Sequence, residues 1–290
     1  MESLRRQIEK QVHSLTGASL GVLDLDQPRG DAGLFGPESM VWEVHADFTA
    51  MMVGGISALL LQMLHPLALA GVWDHSTFRQ DMLGGLRRTS LFIAGTTYGG
   101  LHDAEQLIDK VRRIHLQVVG HAPDGRPYSA SDPELLTWVH VSEVSQFLAG
   151  YLRYVDPQLP MAEQDRYYRE VALIAELLGA QDVPKSAQAV DGYLQRMRPQ
   201  LLCDERTCEV VRLLHSAPMP SILAKPFGGL MMQAGVDLLP DWASDLLGEH
   251  QAAWRRPLIR ASVQRTANLL RWAVSNSAAQ RARRRLLPDA

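Results

Sequence analysis

The chain has 290 residues, 46% of them hydrophobic, a formal net charge of −3 and two cysteines. That is enough chain for one large domain or two ordinary ones. It lacks the electropositive excess that nucleic-acid binding requires, so no nucleic-acid partner is expected. Two cysteines cannot make a disulfide framework, which leaves a reducing, cytoplasmic location as the expectation.

The N-terminal MESLRRQIEKQVHSL is charged and has no apolar centre, unlike a signal peptide. It reads as a polar helix with Leu4, Ile8 and Val12 on one side. Residues 17–36 are rich in Gly, Asp and Pro and read as loop. The expected division is therefore an N-terminal helix and loop over 1–35 and a helical domain over 36–290. Pro37 opens a short helix, at the first turn, where a missing N–H costs nothing. Asp47 is placed to cap the apolar run from Phe48 to Leu64. That run reaches the lower limit of length for a bilayer span. Gly54 and Gly55 within it, and His65-Pro66 at its end, favour a buried central helix, and no membrane span is expected.

A second apolar helix follows from Pro66 to Trp73. Another is expected over 78–97, and the next over 102–119 carries a stripe of Leu107, Ile108, Val111, Ile114, His115 and Val118. HAPDGRPYSA reads as a loop with an Asp-Gly turn. Ser131 or Asp132 caps a helix to about Tyr154. Helices are expected near 161–178, 184–198, 204–216 and 221–238. A short one follows Leu239, and a long basic one runs over 249–285 with a kink at Pro257. No stretch alternates as a strand would. The predicted fold is all-α, a single globular domain of about ten helices.

The chemistry-bearing residues crowd into Phe48 to Val119. His65, His75, His115, Arg79, Arg87, Arg88, Arg112 and Arg113 lie in or beside strongly apolar text, and buried charge is costly without a partner. There is no phosphate loop, dinucleotide fingerprint, HExxH or GxSxG. The paired Glu-x-x-His of a di-iron bundle is also missing. His115, inside an apolar stripe, is either an ordinary core histidine or a metal ligand. Arg112 lies one turn before it, as a solvated residue or an anion partner. Arg87-Arg88-Thr89 is either a wetted helix edge or a polar lining. His65 and His75 sit at helix ends, where histidines commonly cap carbonyls or hold a turn. His140 and Glu143 are spaced to face one another.

In GPESMVWEVHAD, LLLQMLHPLALAGVWDHSTFRQD, LRRTSLF, VRRIHLQVVG and DGRPYSASDPELLTWVH the sequence resembles the MpaB/rubber-oxygenase family, over about residues 36–250. The resemblance implies an all-helical fold with a globin-like haem pocket between helices, haem b as cofactor, and dioxygen-dependent cleavage of carbon–carbon double bonds. The family's proximal motif Arg-x-x-His-x-x-x-Arg falls on Arg112, His115 and Val119. Its distal motif Arg-x-x-Lys-Thr falls on Gly85, Arg88 and Thr89. Arg88 cannot replace the lysine as an iron ligand, because guanidinium has no free lone pair. The family's distal glutamate has no counterpart within Phe48–Trp73.

The resemblance thus implies His115 as iron ligand, Arg112, Arg87, His65 and His140 as cofactor-binding residues, and Arg88 and Thr89 on the oxygen side. The expected function is a haem b-dependent oxygenase using dioxygen on an apolar small-molecule substrate. Two alternatives stand beside it. One is a haem enzyme of another reaction type, such as a peroxidase, hydroxylase or dehydratase. The other is a helical ligand-binding protein without haem. The sequence leaves homodimer formation open.

Overall fold

The computed structural model describes residues 2–16, 23–217 and 225–287. Its helices in chain order are α1 (Glu2–Thr16), α2 (Met40–Val44), α3 (Phe48–Gln62), α4 (Pro66–His75), α5 (Met82–Tyr98) and α6 (Leu101–His115). A small antiparallel pair, β1 (Val119–His121) and β2 (Pro127–Ser129), comes next. Then follow α7 (Pro133–Tyr154), α8 (Met161–Leu178), α9 (Ala187–Met197), α10 (Glu205–His215), α11 (Lys225–Leu238), α12 (Asp241–Leu247), α13 (Arg256–Ala273) and α14 (Ala278–Arg285). The fold is all-helical apart from that hairpin.

The helices begin where their caps dictate. The Asp47 carboxylate accepts from Ala50 N–H at 2.8 Å, and Asp132 accepts from Glu134 N–H at 2.8 Å. Each satisfies a backbone donor that the first turn leaves open. His65 caps the start of α4 rather than the end of α3: its Nδ1 accepts from Ala68 N–H at 3.4 Å.

α3 is the centre of the molecule and packs most extensively along α7. The contact is close because both helices carry glycine at the crossing. A Cβ on Gly54 would lie 2.7 Å from the Gln146 carbonyl oxygen, and one on Gly150 would lie 2.6 Å from that of Ala50. Ser57 donates to Gln146 Oε1 at 2.8 Å, so the buried polar groups between the two helices satisfy each other. Around this pair, Val41, Leu60, Leu61, Leu64, Trp138, Val141, Phe147 and Tyr167 form the main core. Among the described residues no single helix is long and apolar enough to cross a membrane; α3 and α4 together have the length, but they bend by 104° at His65-Pro66.

Three local expectations are corrected. The Asp-Gly loop is a hairpin, with Gly120 opposite Tyr128, because Gly125 at φ +85° lets the chain reverse. α6 stops at His115, which leaves Ile114 48% exposed rather than in the apolar stripe. The basic C-terminal stretch is two helices, not one. Pro257 lies in the first turn of α13, and Ser277 caps α14 with a reciprocal bond to Gln280. The expected helix over 221–238 is seen from Lys225; its first residues, the Leu4 side chain and loop residues 17–22 lie outside the described residues.

α14 is tied to the opposite end of the chain by Arg285, whose side chain is fully buried. Its guanidinium donates to the carbonyls of Asp31 (2.7 Å), Leu25 (3.1 Å), Tyr98 (2.7 Å) and Gly99 (3.3 Å). Five donors in a fixed fork suit several carbonyls at once. This holds the turn between α5 and α6 in place.

Candidate functional site

α5 and α6 are joined by Gly99-Gly100 and run back along each other. The two helices differ in cover. Of the seventeen residues of α5, only the last four, Gly95–Tyr98, are buried. Its earlier turns carry Met82, Leu83, Leu86, Leu91, Phe92 and Ile93, all only partly covered. His115 closes α6 at the end away from the turn. Its Nδ1 is buried and has no hydrogen-bond partner, and burial pushes the ring's pKa below the ordinary histidine value. The imidazole is therefore neutral and holds an unused polar atom.

The other expected residues take different positions. Arg88 is exposed and only loosely paired with Asp81, at 3.7 Å. Thr89 is exposed, and Arg87 is half-buried. Arg112 is exposed and 3.7 Å from Asp109 on its own helix. His65 is buried, stacked at a tilt on Trp138 with centroids 5.8 Å apart, and burial lowers its pKa to about 4. His75 is exposed, with Nε2 3.2 Å from the Val119 carbonyl.

His140 lies elsewhere, in a small cavity of about 20 Å³ between α5, α7 and α8. Its walls are Phe92, Ile93, Thr96 and Thr97 from α5, His140, Glu143, Val144 and Phe147 from α7, Val171 and Ile174 from α8, and His45 at the end of α2. His45 is fully engaged: Nδ1 is 2.9 Å from Thr97 Oγ1 and Nε2 is 3.0 Å from Tyr167 OH. Burial, with His140 nearby, drops its pKa to about 3, so the ring is a neutral relay between two hydroxyls. Thr96 spends its hydroxyl on the Phe92 carbonyl at 2.8 Å. That leaves the His140 ring and the Glu143 carboxyl as the cavity groups with spare hydrogen-bonding capacity. Burial lowers His140 to about 4 and raises Glu143 to about 7. A carboxyl that titrates near neutrality beside a neutral imidazole can take up or release a proton under physiological conditions.

The i, i+3 spacing of His140 and Glu143 was visible in the sequence. His45 and Tyr167 were not, since nothing in E-V-H-A-D marks that ring as interior. The space beside His140 holds one small molecule and no macrocycle. A larger depression, about 460 Å³ and open to solvent, lies over Pro37–Met40, Glu43 and Arg283 and contains no histidine. Among the described residues no group of three or more His, Cys, Asp or Glu is placed to hold a metal ion by itself.

Residues 42–272 match the profile of a family described as ER-bound oxygenase mpaB/B'/Rubber oxygenase, catalytic domain. Nothing among curated proteins matches the chain, and no solved structure does.

Proposed function

The chain belongs to the MpaB/rubber-oxygenase catalytic-domain family, an oxygenase family, and on that premise we propose that it is a haem b-dependent oxygenase acting with dioxygen on an apolar small molecule. The observation that carries this reading is the buried, unpartnered Nδ1 of His115, at the end of the helix that runs back along the partly covered apolar turns of α5. A buried polar atom without a partner is a cost that a bound ligand removes. A neutral imidazole is the form that binds haem iron. A flat apolar ring would also cover the partly exposed apolar turns of α5, which supports the reading.

In this reading His115 holds the iron, and Arg112 and Arg87 are the nearest candidates for the propionates. The bound group supplies dioxygen binding and activation. The chain supplies the surroundings. Met82, Leu83 and Leu86 exclude water from one side, which favours an apolar substrate. Thr89 offers a hydroxyl donor and Arg88 a fixed positive charge toward the oxygen side. Glu143 holds or releases a proton at its carboxyl oxygens one helix away, with His140 beside it. Cleavage of a carbon–carbon double bond is the family reaction that this arrangement would serve.

The test is an absorption spectrum of the full chain expressed with ample haem. A Soret band is expected, lost in His115→Ala while helical circular dichroism is kept. No Soret band, or an unchanged band in the variant, would return the protein to the reading of a haem-free ligand-binding fold. A second haem reading, a peroxidase, hydroxylase or dehydratase, is favoured by the exposure of Arg88 where rubber oxygenases carry a lysine. Product formation without oxygen uptake selects it.

A further inference from the structure

α13 is apolar on two opposite sides. Ile259, Val263, Ala267 and Leu270 fall on one side and are buried, and the helix packs on α11, α3 and α1. Trp254, just ahead of the helix, falls with Leu258, Leu269 and Trp272 on the opposite side at a turn of about 100° per residue. These four side chains are 70%, 60%, 48% and 45% exposed. A surface helix ordinarily turns polar residues outward. Here large aromatic and leucine side chains mark both ends of an outward face about 27 Å long.

The charge along this stretch of chain has one sign. From residue 250 to 287 the chain has nine arginines and no acidic residue. Several are occupied internally: Arg256 and Arg260 by Asp237, Arg271 by Asp47, Arg281 and Arg284 by Asp26. The C-terminal arginines that look most like a free basic tail are thus mostly structural. Arg255 and Arg265 make no ion pair among the described residues; Arg255 lies over the Trp254 ring at 6.0 Å, and Arg265 shares the outward stripe.

We propose that this face of α13 is a peripheral docking surface for a bilayer with anionic headgroups. The two tryptophans and two leucines enter the boundary between headgroups and acyl chains, and Arg255 and Arg265 meet the lipid phosphates and carboxylates. The helix lies in the membrane plane and crosses nothing. A second copy of the chain is the less suitable occupant. A two-fold contact along this stripe would bring arginine toward arginine, and the stripe itself carries no acidic residue. The proposal does not depend on haem, because the surface is on a different helix from His115.

The test uses the full chain and vesicles of phosphatidylcholine with or without about one quarter phosphatidylserine. Co-sedimentation with the anionic vesicles is expected, weaker by roughly tenfold with neutral ones and at about 0.5 M salt. W254A/W272A should lose roughly tenfold or more in vesicle affinity, and Arg265→Glu severalfold; Trp254→Ala alone and Arg265→Glu should keep melting temperatures near wild type, because Trp254 and Arg265 are exposed. Quenching of tryptophan fluorescence by brominated lipid in the unaltered protein reads insertion directly. Absence of binding to either vesicle, equal binding to both, or full binding by the double variant would overturn the proposal. So would a vesicle-free dimer that the double variant abolishes, in favour of a second copy.

Discussion

Glu143 titrates near neutral pH because its carboxyl faces phenylalanine, isoleucine and valine, with no cation against it. The unfolded chain would ionise it at an ordinary carboxylate pKa. The native state therefore holds an extra proton between about pH 4.5 and 7. Stability from this residue is full at the acid end of that window and is lost as pH rises through it. The loss is at most roughly 3 kcal/mol. Glu143→Gln should remove it, so urea melts of variant and wild type should agree near pH 5 and diverge near pH 8, with the variant the more stable. His45 and His140 work in the other direction. Both are neutral in the fold, at about 3 and 4, so the unfolded state takes up protons first as pH falls below 6.5. Stability should therefore fall below pH 6.5, and His140→Gln should blunt that fall. That His140 and Glu143 share one face was legible from a spacing of three, and both line the same cavity. The His45 relay was not, because its partners Thr97 and Tyr167 are 52 and 122 residues away and only packing brings them together.

The same contrast holds for the helices. Their limits were legible wherever a cap or proline acts locally, as at Asp47, Pro66 and Asp132. They were misplaced where tertiary contact decides. The 119–129 segment forms strands because it packs on α4, where Val118 and Tyr128 lie against Gly71. The glycines of α3 looked like interruptions of an apolar run, whereas they set the depth of the α3–α7 crossing. Gly150→Ala should cost about 1–3 kcal/mol, since its Cβ would meet a backbone oxygen rather than a movable side chain. Gly85 is the opposite case. Its Cβ would find only Arg88 Nη2, at 3.9 Å. Gly85→Arg, which restores the family's distal arginine, should fit and raise stability by about 0.5–1 kcal/mol through helix propensity alone. Chemical denaturation of the two variants checks both signs.

At the scale of the whole molecule, the all-helical class and the resemblance were carried by text spread along the chain. Which ends of the chain meet was not, because local pattern is silent about contacts separated by hundreds of residues. Arg285 is the clearest instance: a residue in a run that reads as a solvated basic end is fully buried and bonded to four carbonyls. Arg285→Ala should destabilise by on the order of 3–5 kcal/mol, because several carbonyls lose their donor together. Thermal unfolding measures it.

The sparse cover on the first turns of α5 has a practical outcome for handling the protein. Arg87 and Arg88 sit on turns of α5 that are only partly covered, and local opening is easiest where burial is least. Trypsin should nick the empty chain there before it reaches the α3–α7 centre. Protein loaded with haem should resist at those bonds, which makes a digestion ladder a simple gauge of how completely a preparation is filled.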